Sequence, residues 1–232
     1  PSWLPLDGGG DYEWAGYYDY DDLPQGLNPP VPYIATANND MVGALSDGDP
    51  NNDGWSPLQV NTAAGFRHER IIDLLEENNG SHTPQTMLDT IGDTYSLVGA
   101  EVTPILLATL TDPDLSTDAQ GVLDALEAWD FDCPTGLSGL DPTSAPSDDE
   151  DVRIEARGCL AFHAFYYAFY DALLDDEIEE YGLVRSPNFN LAYILLTRPD
   201  DLINGDAYID NLSTPDVEET LADAMTTALE AA

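Results

Sequence analysis

The sequence predicts a mostly helical α+β fold in which short strands are confined to roughly the first 40 residues. Two observations carry this prediction. From residue 61 onward, apolar residues recur at the spacing of amphipathic helices. Before that point the chain is rich in glycine, proline and aromatic residues, and its best β-type run is residues 33–36. The chain therefore divides into a loop-and-strand segment, residues 1–60, and a helical region, residues 61–232.

The first two helices have recognisable ends. Asn61 is a favourable N-cap, and the apolar stripe that follows it ends at Asn79 and Gly80. Pro84 begins the second helix, because proline suits the first helical position, and the apolar face is expected to continue to Val98. Further helices are predicted over residues 102–110, 117–129, 153–174, 188–196 and 214–232.

Two of these later helices carry additional signals. Residues 117–129 open with a capping box formed by Thr117 and Gln120. Residues 153–174 are apolar almost all round, which is typical of a helix buried at the centre of a bundle. The helical region is therefore expected to have a bundle-like core.

The charge balance excludes several classes of partner. Asp and Glu total 45 against six basic residues, all of them Arg, which gives a net charge of −39. Nucleic acids and anionic membranes attract cationic side chains, so neither is an expected partner. No apolar run reaches the length of a membrane span. So acidic a surface suits a protein that works in high salt or one that binds divalent cations.

The two cysteines, Cys133 and Cys159, flank a loop rich in Gly, Pro, Ser and Asp. A disulfide between them would remove chain entropy from that loop. Two separate buried thiols are the alternative, since free cysteine is often buried. A zinc site is not expected, because nothing near either cysteine has the spacing of zinc ligands.

A proline-rich entry at residues 28–32 leads into the β-type run, which ends on two adjacent carboxamides, Asn38 and Asn39. An Asn side chain at the end of a strand can direct N–H donors at a developing oxyanion. The alternative is an Asx-type turn that only ends the strand.

Two arginines, Arg67 and Arg70, lie one turn apart at the start of the first helix. In a chain with so few cations, this clustering points to a functional role for at least one of them. The alternative is a pair of surface arginines that form weak ion pairs with Glu69, Asp73 or Glu76.

An acidic loop between these motifs has the spacing of calcium ligands. Asp49, Asn51 and Asp53 alternate and are followed by Gly54, as in the first half of a calcium-binding loop. The twelfth position counted from Asp49 is Val60 instead of the bidentate Glu of an EF-hand. The site would therefore need further ligands, and a solvated acidic turn is the alternative.

These motifs resemble the penicillin acylase family of N-terminal nucleophile hydrolases. The resemblance rests on residues 28–39, with the letters NPP followed by YIATANN, and on GFRHERI at residues 65–71. It implies that Asn38 donates to the tetrahedral intermediate and that Arg67 orients the site. It also implies a calcium ion held partly by an Asp of the intervening loop, where Asp49 lies.

The resemblance implies an exported acylase, periplasmic or secreted, that cleaves an acylated amine. The substrate classes are β-lactam antibiotics, N-acyl homoserine lactones and lipopeptides. The family's nucleophile is a Ser, Thr or Cys at the start of its β chain, and Pro1 cannot replace it. We therefore expect an internal fragment of the β chain, partnered by the α chain and the rest of the β chain, and inert alone. A non-catalytic calcium-binding structural or interaction module is the alternative.

Overall fold

The computed structural model describes residues 8–11, 16–42, 62–111, 113–180, 182, 189–198, 209 and 219–232. The chain divides into two compact units, Pro1–Ile91 and Gly92–Ala232. The division after residue 60, which composition predicted, stays a prediction.

In the first unit, a short 3-10 turn at Tyr20–Asp22 precedes two helices, α1 (Phe66–Glu77) and α2 (Pro84–Gly92). Helix α1 begins after Gly65, whose backbone is left-handed with φ of 76°. Residues 62–64 are not helical, so α1 starts later than the predicted N-cap at Asn61. Pro84 occupies the first position of α2, as predicted.

The predicted strand at residues 33–36 is wrong, and with it the β part of the predicted fold class. The described residues contain no strand, only isolated bridges between Tyr95 and Asp132 and between Leu137 and Pro146. The physical reason is that a β-type run becomes a strand only when a second run pairs with it. Within the described residues, the segment is held through side chains and a single nearby backbone bond, from Ala63 N to Asn38 O.

The second unit is a helical bundle, which confirms the mostly helical part of the prediction. Its helices are α3 (Leu97–Thr109), α4 (Thr117–Glu127), α5 (Glu150–Glu180), α6 (Phe189–Thr197) and α7 (Leu221–Ala231). Helix α5 packs against all four others. The largest fully buried side chains are Phe162, Phe165, Phe169, Leu106, Leu126, Leu173, Leu195, Met225 and Leu229.

Trp129 packs between two helices at positions where only glycine fits. A Cβ on Gly99 of α3 would lie 2.4 Å from the indole, and a Cβ on Gly158 of α5 would lie 2.3 Å from Trp129 Cβ and Cγ. The indole Nε1 donates to Asp132 O at 2.7 Å. Glycine at both positions therefore lets α3 and α5 approach the same side chain.

Several predicted helix boundaries differ from the observed ones because caps, not apolar spacing, set them. The apolar face predicted to run to Val98 is interrupted: α2 ends at Gly92, and Ser96 caps α3 by accepting from Gly99 N. Helix α4 is capped by Ser116, which accepts from Ala119 N, so the predicted capping box of Thr117 and Gln120 is wrong and Thr117 is the first helical residue.

Helix α5 is central but not buried all round, because Leu160 is 72% exposed and Tyr167 is 51% exposed. It is also longer than predicted at both ends. Helix α7 begins with a capping box of Thr220 and Asp223, while the predicted start at residue 214 lies outside the described residues.

The disulfide between Cys133 and Cys159 is present, with the two Cα atoms 5.2 Å apart, which confirms the predicted pairing. It ties the loop after α4 to α5. Glu155 of α5 reinforces this tie, because its carboxylate accepts from Asp130 N at 3.1 Å and from Asp132 N at 2.9 Å.

Among the helices that the structure describes, none is both long and apolar enough to cross a membrane.

Candidate active site

Asn38 has a backbone conformation that few residues tolerate. Its φ is 61°, in the left-handed region, where Asn is one of the better-tolerated non-glycine residues. The preceding residue, Ala37, is buried, whereas Asn38 itself is exposed. Ala63 N donates to Asn38 O at 2.7 Å, which fixes the peptide from the side of α1. The turn therefore presents the Asn38 carboxamide at the surface of the first unit.

Arg67 binds this turn directly. It lies in the first turn of α1, and its Nη2 donates to Ala37 O and to Asn38 Oδ1, both at 3.0 Å. One guanidinium nitrogen thus holds a backbone carbonyl and the side-chain oxygen of the next residue. The two residues that the sequence motifs singled out are brought together, although they lie 29 positions apart.

The contact determines which half of the Asn38 carboxamide is available. Oδ1 is held by Arg67, and Nδ2 has no hydrogen-bond partner among the described residues. A carboxamide has one acceptor and one NH2 donor group on opposite branches, so anchoring the oxygen fixes the direction of the donor. Within the part of the chain that the structure describes, the NH2 group is an oriented donor that no other residue uses, the type of group that stabilises an oxyanion.

Asn39, the second carboxamide of the motif, is occupied locally. Its Oδ1 accepts from Ala37 N at 3.1 Å, and its Nδ2 donates to Asp40 O at 3.2 Å. These bonds are local, but they are not the Asx turn that the sequence offered as the alternative, in which the side-chain oxygen accepts from the N–H two residues further on. The geometry therefore distinguishes the two residues: Asn39 shapes the turn, and Asn38 presents the free donor.

A second contact, which the sequence did not predict, ties the same segment to the other end of α1. Tyr33 OH donates to Glu76 Oε1 at 2.6 Å. This hydrogen bond raises the pKa of the Tyr33 phenol, with burial and the Glu76 charge acting in the same direction. The residues lie 43 positions apart, so no local spacing could have paired them. Residues 33–38 are thus fastened near both ends of one helix.

The predicted metal ligands cannot be placed. Asp49, Asn51 and Asp53 lie outside the described residues, so calcium binding stays a prediction. Arg70 lies one turn beyond Arg67 on α1, and the orienting role expected of Arg67 also stays a prediction.

The family model described as penicillin amidase matches residues 1–232, the whole chain. No curated protein and no solved structure matches the chain significantly.

Proposed function

Because the chain belongs to the penicillin amidase family, we propose that it forms part of an acylase that hydrolyses the amide bond of an acylated amine. The family consists of acylase-type hydrolases that are processed into several chains. The substrate classes that we propose are β-lactams, N-acyl homoserine lactones and acylated lipopeptides. The family match over the whole chain supports the reaction type, and the residue motifs support the roles below.

The proposed reaction uses a nucleophile from outside this sequence. A Ser, Thr or Cys at the N-terminus of a processed chain attacks the amide carbon, and its own α-amino group accepts the side-chain proton. The carbonyl oxygen then becomes an oxyanion. The intermediate collapses when the amine leaves with a proton, and water hydrolyses the remaining acyl-enzyme.

In this reaction, Asn38 Nδ2 donates to the oxyanion, and Arg67 keeps the carboxamide in the required orientation. The observation that carries this assignment is the Arg67 bond to Asn38 Oδ1. A donor oriented before the reaction stabilises developing charge without reorganisation, and one such donor contributes roughly 10²–10³ in kcat. Arg67 acts through Asn38 and is a positioning residue.

We also propose a structural calcium ion in the loop that contains Asp49, Asn51 and Asp53. Oxygen ligands at alternate positions followed by glycine support this proposal. Calcium is expected to raise the melting temperature of the chain in a saturable way, beyond sodium chloride of equal ionic strength. The paired change Asp49→Asn and Asp53→Asn should abolish this rise.

A control for the calcium experiment removes the same charge elsewhere in the first unit. Asp21 and Asp22 lie in the 3-10 turn, and their replacement by Asn should leave the calcium response unchanged. A calcium response that survives loss of Asp49 and Asp53 would exclude these ligands.

We further propose that the enzyme is exported, to the periplasm or the medium, and that this chain assembles with an α chain and the remainder of a β chain. The family's processed, multi-chain organisation supports the assembly. The disulfide supports an oxidising location, because structural disulfides persist there.

The experiment that tests the proposed function is intact mass and N-terminal sequencing of the native protein, combined with amide hydrolysis assays. We expect a chain that starts with Ser, Thr or Cys and contains this sequence, in a protein that hydrolyses at least one of the three substrate classes. The isolated 232-residue chain should hydrolyse none of them. If the native protein has no such chain and no hydrolase activity, the alternative of a non-catalytic calcium-binding module replaces the acylase.

A further inference from the structure

Three side chains that can bind metals converge where the loop after α4 meets α5. The sulfur atoms of Cys133 and Cys159 and a ring nitrogen of His163 all lie within 4.8 Å of one another. Cys159 and His163 are four positions apart on α5, so they share one face of the helix. Cys133 approaches that face from the loop. The prediction of no zinc site from the sequence overlooks this helical spacing.

We propose that reduction of the Cys133–Cys159 disulfide converts this cluster into a binding site for a thiophilic divalent cation such as Zn²⁺. Cys133, Cys159 and His163 are the three protein ligands, and water takes the fourth position. Zinc binds sulfur at about 2.3 Å and nitrogen at about 2.0–2.1 Å, so tetrahedral ligand atoms lie roughly 3.5–3.8 Å apart. Zinc binding therefore requires the two sulfur atoms to move apart after the disulfide bond is broken.

The backbone around Cys133 is held independently of the disulfide. Cys133 N donates to Thr94 O at 3.1 Å, and the preceding residue, Asp132, donates through its N to Glu155 at 2.9 Å. Reduction therefore leaves both thiols close together on supported backbone. Both cysteines are half-buried and His163 is exposed, so an ion and its water ligand have access from solvent.

Reduction of the disulfide requires two electrons, which a tertiary phosphine can supply. A tertiary phosphine reduces the disulfide to two thiols and is itself oxidised, with water, to the phosphine oxide. The cation then displaces the two thiol protons and binds the thiolates together with the neutral imidazole. Two thiolates select zinc or cobalt over calcium and magnesium, which prefer oxygen ligands. The metal then replaces the covalent tie between the loop and α5.

The test uses the full chain, reduced with tris(2-carboxyethyl)phosphine without oxygen in high salt, and titrated with Co²⁺. The readout is the thiolate-to-cobalt charge-transfer absorption together with the intense visible bands of tetrahedral cobalt. These signals do not arise from cobalt on the surface carboxylates. We expect a one-to-one titration in the reduced protein, bleaching by Zn²⁺, and no such absorption in the oxidised protein.

The ligand role of His163 is tested by His163→Ala, which changes an exposed side chain and should leave the fold intact by circular dichroism. The substitution should weaken cobalt binding at least about tenfold, because even indirect partners of metal ligands contribute 10–100-fold to affinity. His82→Ala, a change at another exposed histidine, should leave it unchanged. The proposal is overturned if the reduced protein shows no tetrahedral cobalt signal, or if His163→Ala binds cobalt as tightly as the unaltered protein.

Discussion

At the scale of single residues, Asn38 combines two properties that are usually separate. Its backbone adopts a left-handed turn, which favours Asn over most residues, and its side chain presents a donor whose orientation Arg67 fixes. An Ala substitution would disturb both properties. Asn38→Gly removes only the side chain, because glycine adopts positive φ freely. Asn38→Asp retains an oxygen for Arg67 but removes the N–H donor.

The positioning role proposed for Arg67 predicts a specific coupling. In the assembled enzyme, Arg67→Met should lower kcat by about 10–100-fold, because the Asn38 carboxamide is no longer held in one orientation. The same substitution should have little further effect when residue 38 is already Gly, since contacting residues are non-additive. Arg70→Met removes an equal charge from the same helix and should change kcat little. Equal losses at both arginines, or additive losses with Asn38→Gly, would contradict this role.

The packing of Trp129 predicts opposite effects at two helical glycines. Gly158→Ala places a methyl group where Trp129 already lies, so the free energy of unfolding should fall by about 1–3 kcal/mol or more. Gly121→Ala on α4 meets nothing within 4 Å and should raise it by roughly 0.5–1 kcal/mol through helix propensity. Urea unfolding of the two variants gives both values. Similar stabilities for the two variants would show that the Trp129 contact is not tight.

At the scale of elements, one carboxylate links the ends of two helices. Glu230 of α7 accepts from Ser116 N, the N-cap of α4, at 2.6 Å. This backbone hydrogen bond, and then a side-chain bond with Ser116, lowers the Glu230 pKa. A carboxylate with a lowered pKa in the folded state stabilises the fold above its unfolded pKa, about 4.3, and loses that contribution as the pH falls through the folded value.

The pH dependence of unfolding should therefore change with Glu230. In Glu230→Gln, we expect a lower melting temperature than in the unaltered protein near neutral pH and a smaller difference once the pH falls below about 4. Glu179→Gln, at an exposed end of α5, serves as the control and should not reproduce this convergence. Thermal unfolding, monitored by circular dichroism at several pH values, gives the melting temperatures of the variants and the unaltered protein. A difference that stays constant down to low pH would mean that the Ser116 contact does not depend on charge.

The helices also show why the sequence predicted which segments are helical better than it predicted the residues at which the helices begin and end. Apolar spacing is local, so residues 84–92 and 153–174 could be recognised as helical without any tertiary information. The break between α2 and α3 depends on the Ser96 cap, which apolar spacing does not reveal. The run at residues 33–36 has strand-like residues, but strand formation depends on a partner that local sequence does not specify.

The candidate site was predictable to a similar degree. Asn38 and Arg67 could be chosen from motif and residue chemistry. Their contact, the local role of Asn39, and the bond from Tyr33 to Glu76 depend on how the turn packs against α1. Long-range side-chain contacts of this kind follow from packing and have no signature in local spacing.

At the scale of the whole molecule, the net charge of −39 predicts salt-dependent stability. Self-repulsion among 45 acidic residues opposes compaction, and salt screens it: the Debye length falls from about 10 Å at 0.1 M to about 3 Å at 1 M. The melting temperature should therefore rise steeply with sodium chloride. At pH 4, where many carboxylates are protonated, the rise should be smaller. A melting temperature that is flat or falls with salt at neutral pH would contradict this explanation.

Asn38 is proposed to supply the oxyanion donor of an amide hydrolase. Its most direct test is kcat for amide hydrolysis by the assembled enzyme carrying Asn38→Asp or Asn38→Gly, with Asn79→Asp as the control. Both Asn38 variants should lose roughly 10²–10³ in kcat with little change in KM, because the donor acts on charge that develops only in the transition state. The control should keep full activity. Unchanged kcat in either Asn38 variant would contradict the proposed role of Asn38.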